Sequence, residues 1–374
     1  MIQQNESYRL IISGGGTGGH IFPAVAIANE FRRRHPDSEI LFVGALGRME
    51  MSRVPEAGYK IIGLWISGLQ RSMNLSNLLF PLKLLVSYFK AVRVVSGFRP
   101  HIVVGTGGFA SGPVMLAAVR KAIPTLIQEH NSFAGLTNRK LASRVSKVCV
   151  AYEGMEKYFP VSRIAVTGNP VRSNITQFST DRIQAVKSFG MDPAKKTILV
   201  IGGSLGALTL NNCILNALPE FEAAQVQVIW QTGKKYFEEM SLKLKASGVG
   251  VVSAVEFISS MDVAYAAADL VVSRAGAIAI SELCVVAKPV ILVPSPNVAD
   301  DHQTKNALAL VDRSAALSIS DGEASQKLVD AILNLVNDEK KKNELSSNIR
   351  LLGRPHATAD IVNEIEKLIK PVAA

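Results

Sequence analysis

Short apolar runs rich in Val, Ile and Leu alternate with stretches of helical period along the whole 374-residue chain. In the first half the runs are YRLIIS (8–13), EILFVG (39–44), HIVVG (101–105), PTLIQ (124–128) and VCVAY (148–152). In the second half they are TILVIG (197–202), VQVIWQ (226–231), VVSAVEF (251–257), DLVVS (269–273), PVILVP (289–294) and AALSIS (315–320). Strands that are apolar at nearly every position are buried on both faces, so the pattern predicts parallel sheets covered by helices on both sides. Each half opens on a strand that runs into a glycine-rich turn, GGGTGGH at 14–20 and GGSLGA at 202–207. The repetition predicts an α/β chain of two Rossmann-like domains, their glycine turns at the carboxyl ends of the strands and facing one cleft. The junction is expected near Gly168-Asn169-Pro170-Val171-Arg172, which divides the chain into 1–168 and 169–354. A last helical stretch, within 355–374, either caps the second domain or returns to the first.

Composition narrows the setting. The chain is long enough for two ordinary cores, and 48% hydrophobic against 19% charged residues describes a well-packed globular protein. Cys149, Cys213 and Cys284 are far apart and form no CxxC pair, so neither a disulfide nor a zinc site is expected and a reducing compartment is. The polar start MIQQNESYR does not read as a signal peptide, and no apolar run has the length of a spanning helix.

Charge changes the picture more. Of 41 Lys+Arg and 31 Asp+Glu, residues 1–170 hold 20 and 9, a net of +11; residues 171–374 hold 21 and 22, a net of −1. Between 57 and 147 there are 12 basic residues and one acid, Glu129. The first half is therefore suited to an anionic partner (nucleic acid, phospholipid or a polyphosphate substrate) or carries a solvated basic face.

Gly14-x-Gly16-x-x-Gly19 fits a dinucleotide fingerprint, another phosphate cradle or a tight turn. A dinucleotide site needs an acid at the end of the second strand, where this chain has Gly44-Ala45-Leu46-Gly47-Arg48. Arg48 would suit an NADP phosphate, which keeps an oxidoreductase open. A second turn, Gly105-Thr106-Gly107-Gly108-Phe109-Ala110-Ser111-Gly112-Pro113, follows the HIVV strand. Two such turns in the basic half favour a diphosphate. His20 closes the first turn, where an imidazole is a general-base candidate or a packing residue.

In the second half Ser204 adds a hydroxyl to the GGSLGA turn, and a small-residue turn, Ser273-Arg274-Ala275-Gly276, precedes a helix carrying Glu282. A carboxylate there can accept both ribose hydroxyls or be an ordinary helix residue. The loop Asp300-Asp301-His302-Gln303 offers groups suited to sugar hydroxyls. No D-x-D triplet occurs, so a metal-bridged diphosphate is not expected, and phosphate charge falls to helix N-termini and Arg172.

The segments GGGTGGHIFPA, GTGGFASGP, QEHNSFAGLTNR, TGNPVR, GGSLGA, SRAGAIAISE and DHQTKNA, in that order, resemble the MurG family across essentially the whole chain. These are peripheral-membrane GT-B enzymes that make lipid II for peptidoglycan. The resemblance implies an inverting, metal-independent transfer of N-acetylglucosamine from UDP-N-acetylglucosamine to the muramyl C4 hydroxyl of lipid I, with no cofactor and no nucleic acid partner. It implies acceptor diphosphate binding at Gly14, Gly15, Gly16, Thr106, Gly107, Gly108 and Ser111, with His20 as the base. Thr17, Gly18, Gly19 and Asn131 are expected close to the donor sugar. Arg172 and Ser204 are expected at the donor phosphates, Glu282 at the ribose and the Ile258 backbone at the uracil. Ala277, Ile278, His302 and Gln303 complete the pocket; His302 stands where the family can carry glutamine, so the sugar contact is expected first from Gln303.

Residues 75–95 combine an apolar face, including Leu75, Leu78, Leu79 and Phe80, with Lys83, Lys90 and Arg93. That combination suits insertion into an anionic leaflet without crossing it, and otherwise a core helix. With the resemblance it implies attachment to the cytoplasmic side of the inner membrane, where cell-wall synthesis and division complexes are possible partners. A non-catalytic membrane-surface module would explain the basic half but not the second glycine turn, Glu282 and the DDHQ segment.

Overall fold

A computed structural model describes residues 7–68, 79–176, 180–203, 205–298 and 301–369. The chain forms two compact units: the described residues up to Val171 together with those from His356 onward, and Arg172–Pro355.

The first unit contains β1 (Arg9–Gly14), α1 (Gly18–Arg34), β2 (Glu39–Ala45), α2 (Glu50–Glu56), β3 (Lys60–Leu64), α3 (Phe80–Phe98), β4 (Ile102–Gly107), α4 (Ser111–Arg120), β5 (Thr125–Glu129), α5 (Leu136–Leu141), β6 (Lys147–Val150) and β7 (Ile164–Val166). The strands make one parallel sheet in the order β3-β2-β1-β4-β5-β6-β7. Alternation along β1 sorts the core. Leu10 and Ile12 join Ile27 and Phe31 of α1 on one face, and Ile11 joins Val103, Val114 and Met115 on the other. The order reverses between β1 and β4, and Gly14 lies opposite Gly107, so both glycine turns leave the sheet side by side. That is the switch point, where open parallel sheets bind their ligands.

The second unit contains α6 (Ser173–Thr176), α7 (Arg182–Ser188), β8 (Thr197–Ile201), α8 (Leu208–Asn216), α9 (Leu218–Ala223), β9 (Gln227–Gln231), α10 (Phe237–Ser247), β10 (Val252–Val255), α11 (Met261–Ala267), β11 (Leu270–Ser273), α12 (Ala277–Val286), β12 (Val290–Leu292), α13 (His302–Val311), β13 (Leu317–Ser318), α14 (Ala324–Asn337) and α15 (Glu339–Leu351). Its parallel sheet runs β10-β9-β8-β11-β12-β13 and reverses between β8 and β11. Ile201 lies opposite both Gln231 and Ser273, so three strand ends stand together.

The last helix, α16 (Ala357–Ile369), packs on α1. Its Ile361, Val362 and Ile365 enter the core beside Phe31. Arg34 fixes the contact by donating to Asn363 at 2.7 Å and to the Ala359 carbonyl at 3.2 Å.

Two strands depart from the sequence pattern. β3 and β7 are edge strands; in KIIGL only Gly63 and Leu64 are buried, and IAV is three residues long and buried nowhere. An edge strand needs no continuous apolar run. Conversely, AALSIS yields only the two-residue β13.

Candidate active site

In the first unit the two glycine turns interlock. A Cβ at Gly108 would lie 2.3 Å from the Gly15 carbonyl oxygen, and one at Gly107 would lie 2.7 Å from the His20 ring. The Thr106 hydroxyl donates to the His20 carbonyl at 2.9 Å, and His20 Nδ1 lies 2.8 Å from the Thr106 carbonyl oxygen. A carbonyl only accepts, so Nδ1 carries the proton and the basic lone pair of the neutral ring is on Nε2. The His130 ring meets His20 edge to face at 4.6 Å.

Among the residues expected at an acceptor diphosphate, Gly14, Gly15, Thr106, Gly107 and Ser111 are buried. The Thr106 hydroxyl is spent on His20, and the Ser111 hydroxyl on the Gly108 carbonyl at 2.9 Å. Both hydroxyls brace the turns. The partly open positions are Gly16 and Gly108, with Thr17, Gly18, Gly19 and His20 beside them.

Helix α1 begins there without a side-chain cap. Thr17 is extended (φ −146°, ψ 158°) and its hydroxyl makes no capping bond. The first N–H groups, those of Gly18 and Gly19, have no acceptor within the helix, and the first turn carries no acid while the last carries Arg32, Arg33 and Arg34. Such an end attracts anions. Gly19 is uncrowded: a Cβ would meet only the Thr17 hydroxyl at 3.6 Å and His130 Nε2 at 3.7 Å.

Asn131 sits on a loop held by a carboxylate that sequence reasoning noted only as a lone acid. Buried Glu129 accepts from the Asn131 amide at 3.1 Å, the Gly135 amide at 2.9 Å and Asn138 Nδ2 at 2.8 Å. Asn169 donates to the His130 carbonyl at 3.0 Å and accepts from Gln128 at 2.7 Å. Both buried groups lie within segments already singled out, QEHNSFAGLTNR and TGNPVR.

In the second unit Arg172 and Glu282 are paired with each other. Nε and Nη2 of Arg172 reach Oε1 and Oε2 of Glu282 at 2.7 and 2.9 Å. Glu282 is 3% exposed, whereas the Arg172 side chain is 45% exposed and keeps donors toward solvent. Tyr265 donates to Glu282 Oε2 at 3.4 Å; burial, and then the Glu282 charge, push its phenol well above the ordinary range.

Gln231, not singled out in the sequence, ties two candidate segments together. Its Nε2 donates to the Gly203 carbonyl at 3.1 Å, and its Oε1 accepts from the Ile258 amide at 3.0 Å. The Ile258 N–H is thus engaged by Gln231. Exposed Phe257 stands next to it. Ser204 lies outside the described residues.

Ala277 and Ile278 open α12, whose N-cap Gly276 has ordinary extended geometry (φ −69°, ψ 138°) and open space where a Cβ would stand. Gln303 Oε1 accepts from the Ser295 amide at 2.9 Å, which leaves its NH2 as the group to meet a ligand. His302 is the first residue of α13, behind Asp301 in the left-handed region (φ 51°). Arg274 holds the same end of the sheet from below, donating to the Val293 and Pro294 carbonyls and pairing with Asp321 at 2.5 Å. Among the described residues no group of three or more His, Cys, Asp or Glu converges as for a metal.

Helix α3 buries only Ser87, Ala91 and Val95 of its nineteen residues. Leu79, Leu82, Leu85 and Phe89 are about half exposed, and Phe80 is partly buried. Lys83 donates to Ser67 at 3.2 Å, Lys90 donates to the Gly63 carbonyl at 2.7 Å, and Arg93 is exposed. Leu75 and Leu78 lie outside the described residues. Among those described, no helix is long and apolar enough to cross a membrane.

Residues 10–150 match the N-terminal domain, and residues 197–364 the C-terminal domain, of glycosyltransferase family 28. A protein of Parabacteroides distasonis is 54% identical over 97% of this chain and 99% of its own length. One of Bacteroides fragilis is 53% identical over 98% and 97%. Each is named UDP-N-acetylglucosamine–N-acetylmuramyl-(pentapeptide) pyrophosphoryl-undecaprenol N-acetylglucosamine transferase. The crystal structure of Acinetobacter baumannii MurG superposes with a TM-score of 0.78 at 28% identity, over 96% of this chain and 99% of that one.

Proposed function

The chain belongs to glycosyltransferase family 28, and from that membership we propose that it transfers N-acetylglucosamine from UDP-N-acetylglucosamine to lipid I. The product is lipid II, the precursor of peptidoglycan, and the enzyme is an N-acetylglucosaminyltransferase of GT-B fold. An oxidoreductase finds no support in these relatives.

One observation carries the catalytic part: a histidine with its Nδ1 proton fixed stands beside an uncapped, acid-free helix start. His20 Nε2 takes the proton of the muramyl C4 hydroxyl as its oxygen attacks the anomeric carbon of the donor sugar. The bond from that carbon to the β-phosphate oxygen breaks, and its electron pair leaves with UDP, inverting the centre. Charge that grows on the departing diphosphate is met by the α12 amides at Ala277 and Ile278, by the free donors of Arg172 and by Ser204. Glu282 accepts from the ribose, the Ile258 carbonyl from the base, and the Gln303 NH2 donates to the sugar, with His302 beside it. Thr17, Gly18, Gly19 and Asn131 meet the reacting sugars, and Gly16 and Gly108 border the acceptor diphosphate.

The exposed face of α3, with Lys83, Lys90 and Arg93 on the same helix, supports peripheral attachment to the anionic inner leaflet, where lipid I is reached from the cytoplasm. Complexes of wall synthesis and division are the partners this location offers. The test is transfer of labelled sugar to a lipid I analogue: UDP-N-acetylglucosamine should donate, and absence of a lipid-linked disaccharide would contradict the reading.

A further inference from the structure

Glu50 is the first residue of α2 and is fully buried, and among the described residues no Lys, Arg or His pairs with it. Its carboxylate is satisfied by backbone instead. Oε2 accepts from the Gly16 amide and Oε1 from the Ala45 amide, each at 3.0 Å. One acid thus ties the glycine turn after β1 to the last residue of β2.

The surrounding glycines follow from it. A Cβ at Gly15 would lie 2.0 Å from Oε1, and one at Gly44 would lie 2.6 Å from Cγ. No ligand is needed to explain either glycine. A carboxyl group inside a core costs stability unless its oxygens are hydrogen-bonded, and the two backbone amides meet that need. What the arrangement secures is direction: the Gly16 N–H points inward, and the chain is set on one path into Thr17 and the start of α1.

We propose that Glu50 is a positioning residue for the transfer reaction, holding the first glycine turn so that the α1 amides and His20 are set for the acceptor. This rests on the functional reading above. A residue that acts through geometry shows a specific signature, since a displacement of about 1 Å at reacting groups costs roughly 100-fold in rate. Glu50→Gln keeps the shape but presents an NH2 to one of the two amides, so one bond is lost.

The experiment compares steady-state kinetics of wild type, Glu50→Gln, Glu50→Asp and Gly15→Ala on a lipid I analogue, with UDP binding by calorimetry and thermal melting on the same samples. Expected is a kcat about 100-fold lower in Glu50→Gln, with KM for the donor and UDP affinity within about threefold of wild type. Gly15→Ala, which displaces the carboxylate without removing it, should show the same split. Glu50→Asp keeps the carboxyl but is one methylene short, and its kcat should fall between those of wild type and Glu50→Gln. Wild-type kcat in Glu50→Gln, or a lowered melting temperature with unchanged kcat per folded enzyme, overturns the proposal. Should Glu50→Gln not fold, wild-type kcat in Glu50→Asp and Gly15→Ala overturns it equally. A wild-type enzyme that transfers no sugar would bring down the functional reading instead.

Discussion

Arg172 and Glu282 form a two-point ion pair, 2.7 and 2.9 Å long, in which the carboxylate is buried and the guanidinium half exposed. The pair joins the residue that starts the second unit to the helix after β11. Two oxygens offer about four lone-pair positions, and Arg172 and Tyr265 take three. In the proposed mechanism a ribose at Glu282 would share the carboxylate with Arg172 or draw Arg172 away from it.

Removing either partner should have different consequences. Glu282→Ala is expected to weaken UDP binding about tenfold or more in calorimetry, and wild-type affinity would contradict the ribose assignment. Arg172→Ala leaves a buried carboxylate without its cation and should cost about 3 kcal/mol of stability, seen as a lower melting temperature. Arg172→Lys restores the charge without the fork and should recover stability only in part.

Gly19 separates a structural glycine from a functional one. No internal atom crowds the space of its missing Cβ. Gly19→Ala should melt within a few degrees of wild type yet lose about 100-fold in kcat/KM, because in the proposed mechanism the methyl would enter the space of the sugar. Full activity would show that the ligand lies elsewhere.

On α3, Leu85→Asp with Phe89→Asp should lower binding to anionic vesicles about tenfold or more in a flotation assay, with UDP affinity unchanged. Unaltered flotation would remove this face from membrane attachment.

Acid should remove a stabilising ion pair within α1. The Arg33 guanidinium, opposed by burial and aided by Arg34, holds Glu30 at about 2, below its ordinary 4.5. A depressed carboxylate contributes stability above its unfolded value and loses it as pH falls through the folded one. Glu30→Gln should therefore be less stable by about 1 kcal/mol above pH 5, allowing for the exposure of Arg33, and the gap should close toward pH 2. A gap independent of pH in urea titrations would contradict this.

Most of the sheet framework was legible because buried parallel strands write continuous apolar runs, as in LIIS, ILFV and TILVI. β3 and β7 were not, since an edge strand is satisfied on one side only. At the site, sequence pattern pointed to chemistry-bearing types such as His20 and Glu282. It missed Gln231 and Glu50, whose work is to hold backbone amides across chain separations of 27 and 34 residues. Such partners leave no local spacing to read.

The most direct measurement is kcat of His20→Ala on a lipid I analogue with both substrates saturating, alongside UDP affinity by calorimetry. With Nδ1 held by the Thr106 carbonyl, the proposed mechanism uses Nε2 as the base, so kcat should fall about 100-fold or more while UDP affinity stays at the wild-type value. A kcat equal to wild type would contradict the account.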